Sequence, residues 1–188
     1  FSEIVETLMG NGKDMFRNII IEIRFPRSVA AIILGGALGL SGFLLQTFFH
    51  NPIAGPYVLG ISSGSKLAVA IVMVVFLRFG IRISSVLMIL AAFAGAMLSM
   101  GFVLLISRWL PQTAMLVVSG IMIGYICSAI TDLIVTFAED SDIVNLHNWS
   151  MGSFSGISWG NVAVMIIVVA AAGGLTFLLS KPISAYQM

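Results

Sequence analysis

One cysteine in 188 residues, two histidines and a charged fraction of only 9% are the scarcities of this chain, and each excludes something. Cys127 alone builds neither a disulfide framework nor a thiolate metal cluster. His50 and His147 have no carboxylate or second histidine at helical spacing, so no metal site is expected. Nine basic and eight acidic residues leave a net charge of +1, with no clustered basic face for nucleic acid. No nucleophile and base can be assembled for catalysis, and no cofactor is implied. A soluble domain carries roughly a quarter of its residues charged, whereas here 59% are apolar and the mean hydropathy is +1.09. Most of the surface must face lipid.

What is present are apolar runs long enough to cross a hydrocarbon core, and they occur five times: 28–49, 58–77, 84–106, 113–137 and 161–179. Barrel strands need only about ten residues and alternate in polarity, which these runs do not. The expected fold is an all-α polytopic membrane helix bundle, one domain over 1–188 with about five transmembrane helices. Asn51-Pro52 and Gly55-Pro56 close the first run, Gly80 with Arg82 separates the second from the third, and Arg108 to Pro111 separates the third from the fourth. The polar stretch 138–160 reads as a surface loop with a short helix, with Trp149 and Trp159 suited to a membrane–water boundary.

Residues 1–27 mix eight charges with apolar residues and are expected to lie in water or along the headgroups without spanning. Pro26 disfavours helix at Phe25 and is expected to expose Arg24 and Arg27. Phe1 is not an initiator methionine, the segment lacks the pattern of a signal peptide, and Met188 follows closely on a span, so the reading is of a chain cut at both ends.

Four groups of residues could carry function. Small residues recur four apart at Gly35 and Gly39, Gly60 and Gly64, Gly120 and Gly124, and Ala170 and Gly174, a spacing that lets helices pack closely in lipid or gives a moving transporter its flexible points. Gly60 to Lys66 has the wrong spacing for a phosphate-binding loop, so ATP chemistry would belong to another chain. Lys66 and Asp132 are the ionisable side chains inside runs; each either lines a pathway or reaches an interface. Arg24 and Arg27, three apart before the first run, either anchor a helix end to lipid phosphates or hold carboxylates.

The order Ile23-Arg24-Phe25-Pro26-Arg27, then Gly35-Gly36-Ala37-Leu38-Gly39-Leu40-Ser41-Gly42-Phe43-Leu44-Leu45-Gln46, closely resembles permeases of iron-siderophore, haem and vitamin B12 importers, the FecCD family. Asn51 to Pro56 followed by Leu59 to Gly64 is similar to that family's turn between its second and third membrane helices, and Trp149 to Phe154 with Trp159 is similar to the stretch before its sixth. The resemblance covers nearly all of 22–181 and implies a fragment holding the second to sixth of about ten helices.

Several expectations follow from that resemblance. The chain would be part of an ABC importer permease in the cytoplasmic membrane, passing an iron chelate, haem or cobalamin by alternating access. Its partners would be a second permease subunit, a pair of cytoplasmic ATPases and an extracytoplasmic binding protein. Arg24 and Arg27 would face acidic residues of the binding protein, and Asn51 with Gln112 and Thr113 would narrow the cytoplasmic end of the pathway. Lys66 departs from the family, which usually has a small residue there. With 1–27 outside, Lys13, Arg17, Arg24, Arg27, Arg78 and Arg82 lie outside against Lys66, Arg108 and Lys181 inside, which opposes the positive-inside rule. Two other classes remain open on the residues alone: an ion-coupled secondary transporter using Asp132 and Lys66, and a non-transporting membrane scaffold.

Overall fold

A computed structural model describes residues 14–79, 84–109 and 113–179. They form α1 (Asp14–Asn18), a π-helical segment (Ile19–Arg24), α2 (Phe25–Phe49), α3 (Ile61–Arg78), α4 (Ser85–Ser107), α5 (Thr113–Thr136), α6 (Asp140–Met151) and α7 (Trp159–Leu178). No strand occurs among the described residues. The fold is an all-α polytopic membrane bundle. Four helical stretches are long and apolar enough to cross a membrane: Phe16–Phe49, Ser85–Ser107, Met115–Thr136 and Trp159–Leu178. Large apolar side chains cover their outside, with Ile32 75% and Phe177 79% exposed, as lipid-facing surfaces require.

The chain divides into two compact units, 1–40 with 153–188, and 41–152. In the first, helix continues without a break from Asp14 through Leu40, so the expectation that Pro26 keeps Phe25 out of helix is corrected. Phe25 has φ −63° and ψ −47°, and its N–H donates to the Ile20 carbonyl, five residues back instead of four. A proline ring inside an α-helix clashes with the carbonyl four residues before it, here that of Glu22, and the wider π turn relieves this without ending the helix. Among the described residues, the buried side chains of this unit are Pro26, Ala30 and Val162. Its other helix, α7, begins at a capping serine, where Ser158 Oγ accepts the Asn161 N–H at 3.4 Å.

In the second unit α3 is the shared element, packing against α4, α5 and α6. Its apolar part, Ile61–Phe76, is shorter than the other spans. The apolar run at 58–77 starts earlier because Val58 and Leu59 belong to the preceding turn; Leu59 is fully buried with Phe49, Ala54, Val103, Leu116 and Val117. A second cluster joins Val69, Ala70 and Met73 of α3 to Leu146 of α6. Trp149 packs against that cluster, half-buried, so the polar stretch 138–160 does hold a short helix, and its tryptophan is partly inside protein.

Glycines set how near the helices approach. A Cβ at Gly95 of α4 would overlap the Gly64 carbonyl oxygen of α3, and a Cβ at Gly64 would overlap Ser99 Oγ. Gly60, at φ +73°, lies against α5, where an added Cβ would stand 2.7 Å from the Gly120 oxygen and 2.9 Å from the Gly124 nitrogen. Beside these contacts Ser65 Oγ donates to the Ala92 carbonyl at 2.9 Å, a hydrogen bond between α3 and α4. The pairs Gly60/Gly64 and Gly120/Gly124 are thus packing contacts. Gly35, Gly39 and Gly174 have nothing within 4 Å among the described residues.

Candidate functional site

The two arginines sit on the helix that the π turn keeps continuous, Arg24 ending the π segment and Arg27 in the first turn of α2. Arg24 is exposed, as expected, but Arg27 is half-buried, and its Nε is a buried donor with no hydrogen-bond partner among the described residues. An unsatisfied guanidinium N–H costs about 1–3 kcal/mol or more, so it marks a group that gains by meeting an acceptor. No salt bridge occurs at either arginine among the described residues, and the exposed Arg24 is the one placed to meet an outside carboxylate or phosphate.

The sequence reading missed how this segment is fixed. Trp159, the first residue of α7, donates its indole N–H to the Ile21 carbonyl at 3.0 Å. Its ring lies 6.2 Å from that of Phe25, tilted by 36°. The signal in the sequence was Pro26, which announces an orphaned carbonyl, together with a tryptophan far along the chain.

At the end of α2, in the second unit, the chain turns sharply. His50 adopts φ +48°, its N–H donates to the Thr47 carbonyl at 3.3 Å, and the Asn51 N–H donates to the Gln46 carbonyl at 3.2 Å. This pair of bonds around a left-handed residue is a Schellman end, with histidine where glycine is usual. Asn51 Oδ1 then accepts the Ile53 N–H at 2.9 Å, and Gln46 Nε2 donates to the Pro52 carbonyl at 3.0 Å. Asn51 is half-buried, and its side-chain oxygen is spent on the turn itself, leaving its amide group as the part able to meet a passing ligand.

The turn carrying Asn51 and the start of α5 are brought together. Ala54 and Leu59 share a buried cluster with Leu116 and Val117, one turn into the helix that opens at Thr113. Gln112 lies outside the described residues, as does the Thr113 side chain. Lys66 is half-buried on α3, whereas Asp132 is exposed near the end of α5, and among the described residues neither makes an ion pair. A coupled charge pair between them is therefore not formed. No group of three metal-ligating side chains gathers among the described residues.

The sequence profile described as the FecCD transport family matches residues 1–188. The chain belongs to the FecCD transport family. Similar relatives include the vitamin B12 import system permease protein BtuC of Klebsiella pneumoniae subsp. pneumoniae, 37% identical over 150 residues, covering 80% of this chain and 44% of the relative. The protein of the same name from Salmonella paratyphi A is 34% identical over 148 residues, covering 79% and 44%. This FecCD chain thus spans less than half the length of these curated relatives. Its fold is similar to that of a solved chain described as an inward-facing conformation of a metal-chelate type ABC transporter, with a TM-score of 0.79, 22% identity, and coverage of 94% of this chain and 55% of that one.

Proposed function

We propose that this FecCD chain is part of the membrane subunit of an ABC importer that passes cobalamin or a comparably bulky iron chelate or haem across the cytoplasmic membrane. The observation that carries the reading is the family match over all 188 residues, reinforced by 37% identity to a vitamin B12 import permease. The chain itself has no covalent step to perform. Loaded binding protein on one side and ATP-driven closure of a partner ATPase pair on the other bias the helices between outward and inward arrangements, with a second permease subunit completing the pathway.

Within that mechanism the five helical runs are membrane spans, and the segment before residue 28 faces the extracytoplasmic side. Arg24 and Arg27 receive acidic residues of the binding protein: Arg24 is exposed, Arg27 is half-buried three residues on, and neither makes an ion pair among the described residues. The tightly cross-bonded Asn51 turn, packed against the start of α5, suits a constriction at the opposite end, with Gln112 and Thr113 as its other lip. An ion-coupled mechanism lacks a Lys66–Asp132 pair to work with among the described residues.

The test uses the full-length permease in cells without their own cobalamin permease, together with its ATPase and binding protein. Uptake of labelled cobalamin or of an iron chelate that stops when the ATPase is inactivated is expected. Transport that persists without any ATPase refutes the reading. Arg24→Glu with Arg27→Glu is expected to abolish docking of the binding protein while leaving the folded permease in the membrane; unchanged docking removes that role from the arginines. A cysteine in place of Asp140 decides orientation, since labelling by an impermeant thiol reagent in intact cells is expected if α6 faces outward.

A further inference from the structure

The π turn leaves one carbonyl that its own helix cannot satisfy. In α-helical bonding the Ile21 oxygen would accept from the Phe25 N–H, but that N–H goes to Ile20. In the wider pattern the donor would be residue 26, which is proline and has no N–H. Both registers therefore orphan the Ile21 oxygen, which needs a donor from outside its own helix. The donor that reaches it is the Trp159 indole N–H, at 3.0 Å, from a residue 138 positions away.

We propose that Trp159 is a positioning residue for the arginine docking surface: it supplies the donor that Pro26 removes, and so holds the π register that sets the directions of Arg24 and Arg27. This rests on the docking role assigned to those arginines above. A π turn carries one residue more than the α turn it replaces, so a slip back to α register rotates the helix on one side of it by about 100° against the other. Arg24 closes the π segment and Arg27 follows it, so a slip re-aims one guanidinium relative to the other. The Trp159 ring against that of Phe25, the residue that follows the π segment, adds a second hold that does not depend on the indole N–H.

The experiment uses the full-length permease in lipid nanodiscs and reads two quantities: backbone hydrogen exchange over 19–27, and the affinity of the extracytoplasmic binding protein encoded with the permease. Trp159→Phe keeps an aromatic ring beside Phe25 and removes only the N–H. It is expected to speed exchange at Phe25 by up to about tenfold, the scale of one lost hydrogen bond, and to weaken docking about fivefold. Pro26→Ala combined with Trp159→Phe gives the helix a donor of its own for the Ile21 oxygen, and is expected to restore slow exchange. Arg24→Glu with Arg27→Glu is expected to abolish docking and leave exchange unchanged.

Unchanged exchange in Trp159→Phe overturns the proposal whatever docking does, and so does a double variant that fails to regain protection. Faster exchange with normal docking, in a system where the arginine variant does not dock, leaves the backbone lock in place and refutes its positioning role. If the arginine variant docks normally, it is the docking reading that fails, and the exchange data still judge the lock on their own.

Discussion

Alanine at Gly95 is the most direct test of how this bundle is held together. Its Cβ would overlap the Gly64 carbonyl oxygen and lie 2.7 Å from Ala68 Cβ. Ordinary carbon contacts sit at about 3.5–4.0 Å, so α3 and α4 must part by about 1 Å. That parting also stretches the Ser65 hydroxyl bond to the Ala92 carbonyl, now 2.9 Å. Overpacking of a close contact costs about 1–3 kcal/mol, and a hydrogen bond between membrane helices averages about 0.6 kcal/mol, giving about 2–4 kcal/mol in all. Gly101→Ala is the internal control: it lies on the same helix with nothing within 4 Å among the described residues. It is expected to be neutral or slightly stabilising, since alanine favours helix by up to about 1 kcal/mol over glycine. Reversible denaturant titration of full-length protein in mixed micelles, followed by tryptophan fluorescence, measures both. Gly95→Ala falling within about 0.5 kcal/mol of Gly101→Ala would falsify the close-packing argument.

Gly60→Ala combines a left-handed backbone with a backbone clash against Gly120 and Gly124, and is expected to cost more than Gly95→Ala; size-exclusion of detergent-extracted protein should show little monodisperse material, and a normal yield contradicts this. Asn51→Asp preserves the acceptor for the Ile53 N–H, whereas Asn51→Ala loses it, so their unfolding free energies should differ by about 1 kcal/mol in favour of Asp, and equal values count against the Asn51 turn. Lys66→Met removes a half-buried charge that has no ion partner among the described residues and is expected to raise stability by about 1 kcal/mol or more; a lowered unfolding midpoint shows instead that the ammonium is satisfied where it stands.

Hydropathy located the helices because membrane spans announce themselves by length and by lack of charge. It erred where apolar residues serve packing in place of helix. Leu59 lies within the apolar run 58–77 but outside α3, because its side chain fills the space between α4 and α5. Glycine spacing marked the right contacts at Gly60/Gly64 and Gly120/Gly124, yet the same spacing at Gly35/Gly39 meets nothing among the described residues. Spacing shows that two glycines share a helix face; it carries no information on what lies opposite. The arginine pair was legible as chemistry, but the difference between exposed Arg24 and half-buried Arg27 was not, since exposure depends on what packs against the helix and spacing along the chain does not carry that.

The largest disagreement between sequence and structure has one physical origin. A proline or an orphaned carbonyl ends a helix cheaply where solvent satisfies the freed groups; a donor or acceptor supplied by another helix removes the need for that break. Breakers are therefore absorbed. Pro26 is accommodated by widening one turn and recruiting an indole N–H from α7, and the chain stays helical through it. At the other end of α2 the chain does stop, and there the turn supplies its own partners: His50 takes the left-handed conformation, the Thr47 and Gln46 carbonyls each receive a backbone N–H, and Gln46 and Asn51 side chains close the turn. Sequence rules for helix ends were framed for aqueous surroundings, so in this chain they mark where backbone groups need a partner from elsewhere, and those partners, Trp159 and Gln46, are the residues hydropathy passes over.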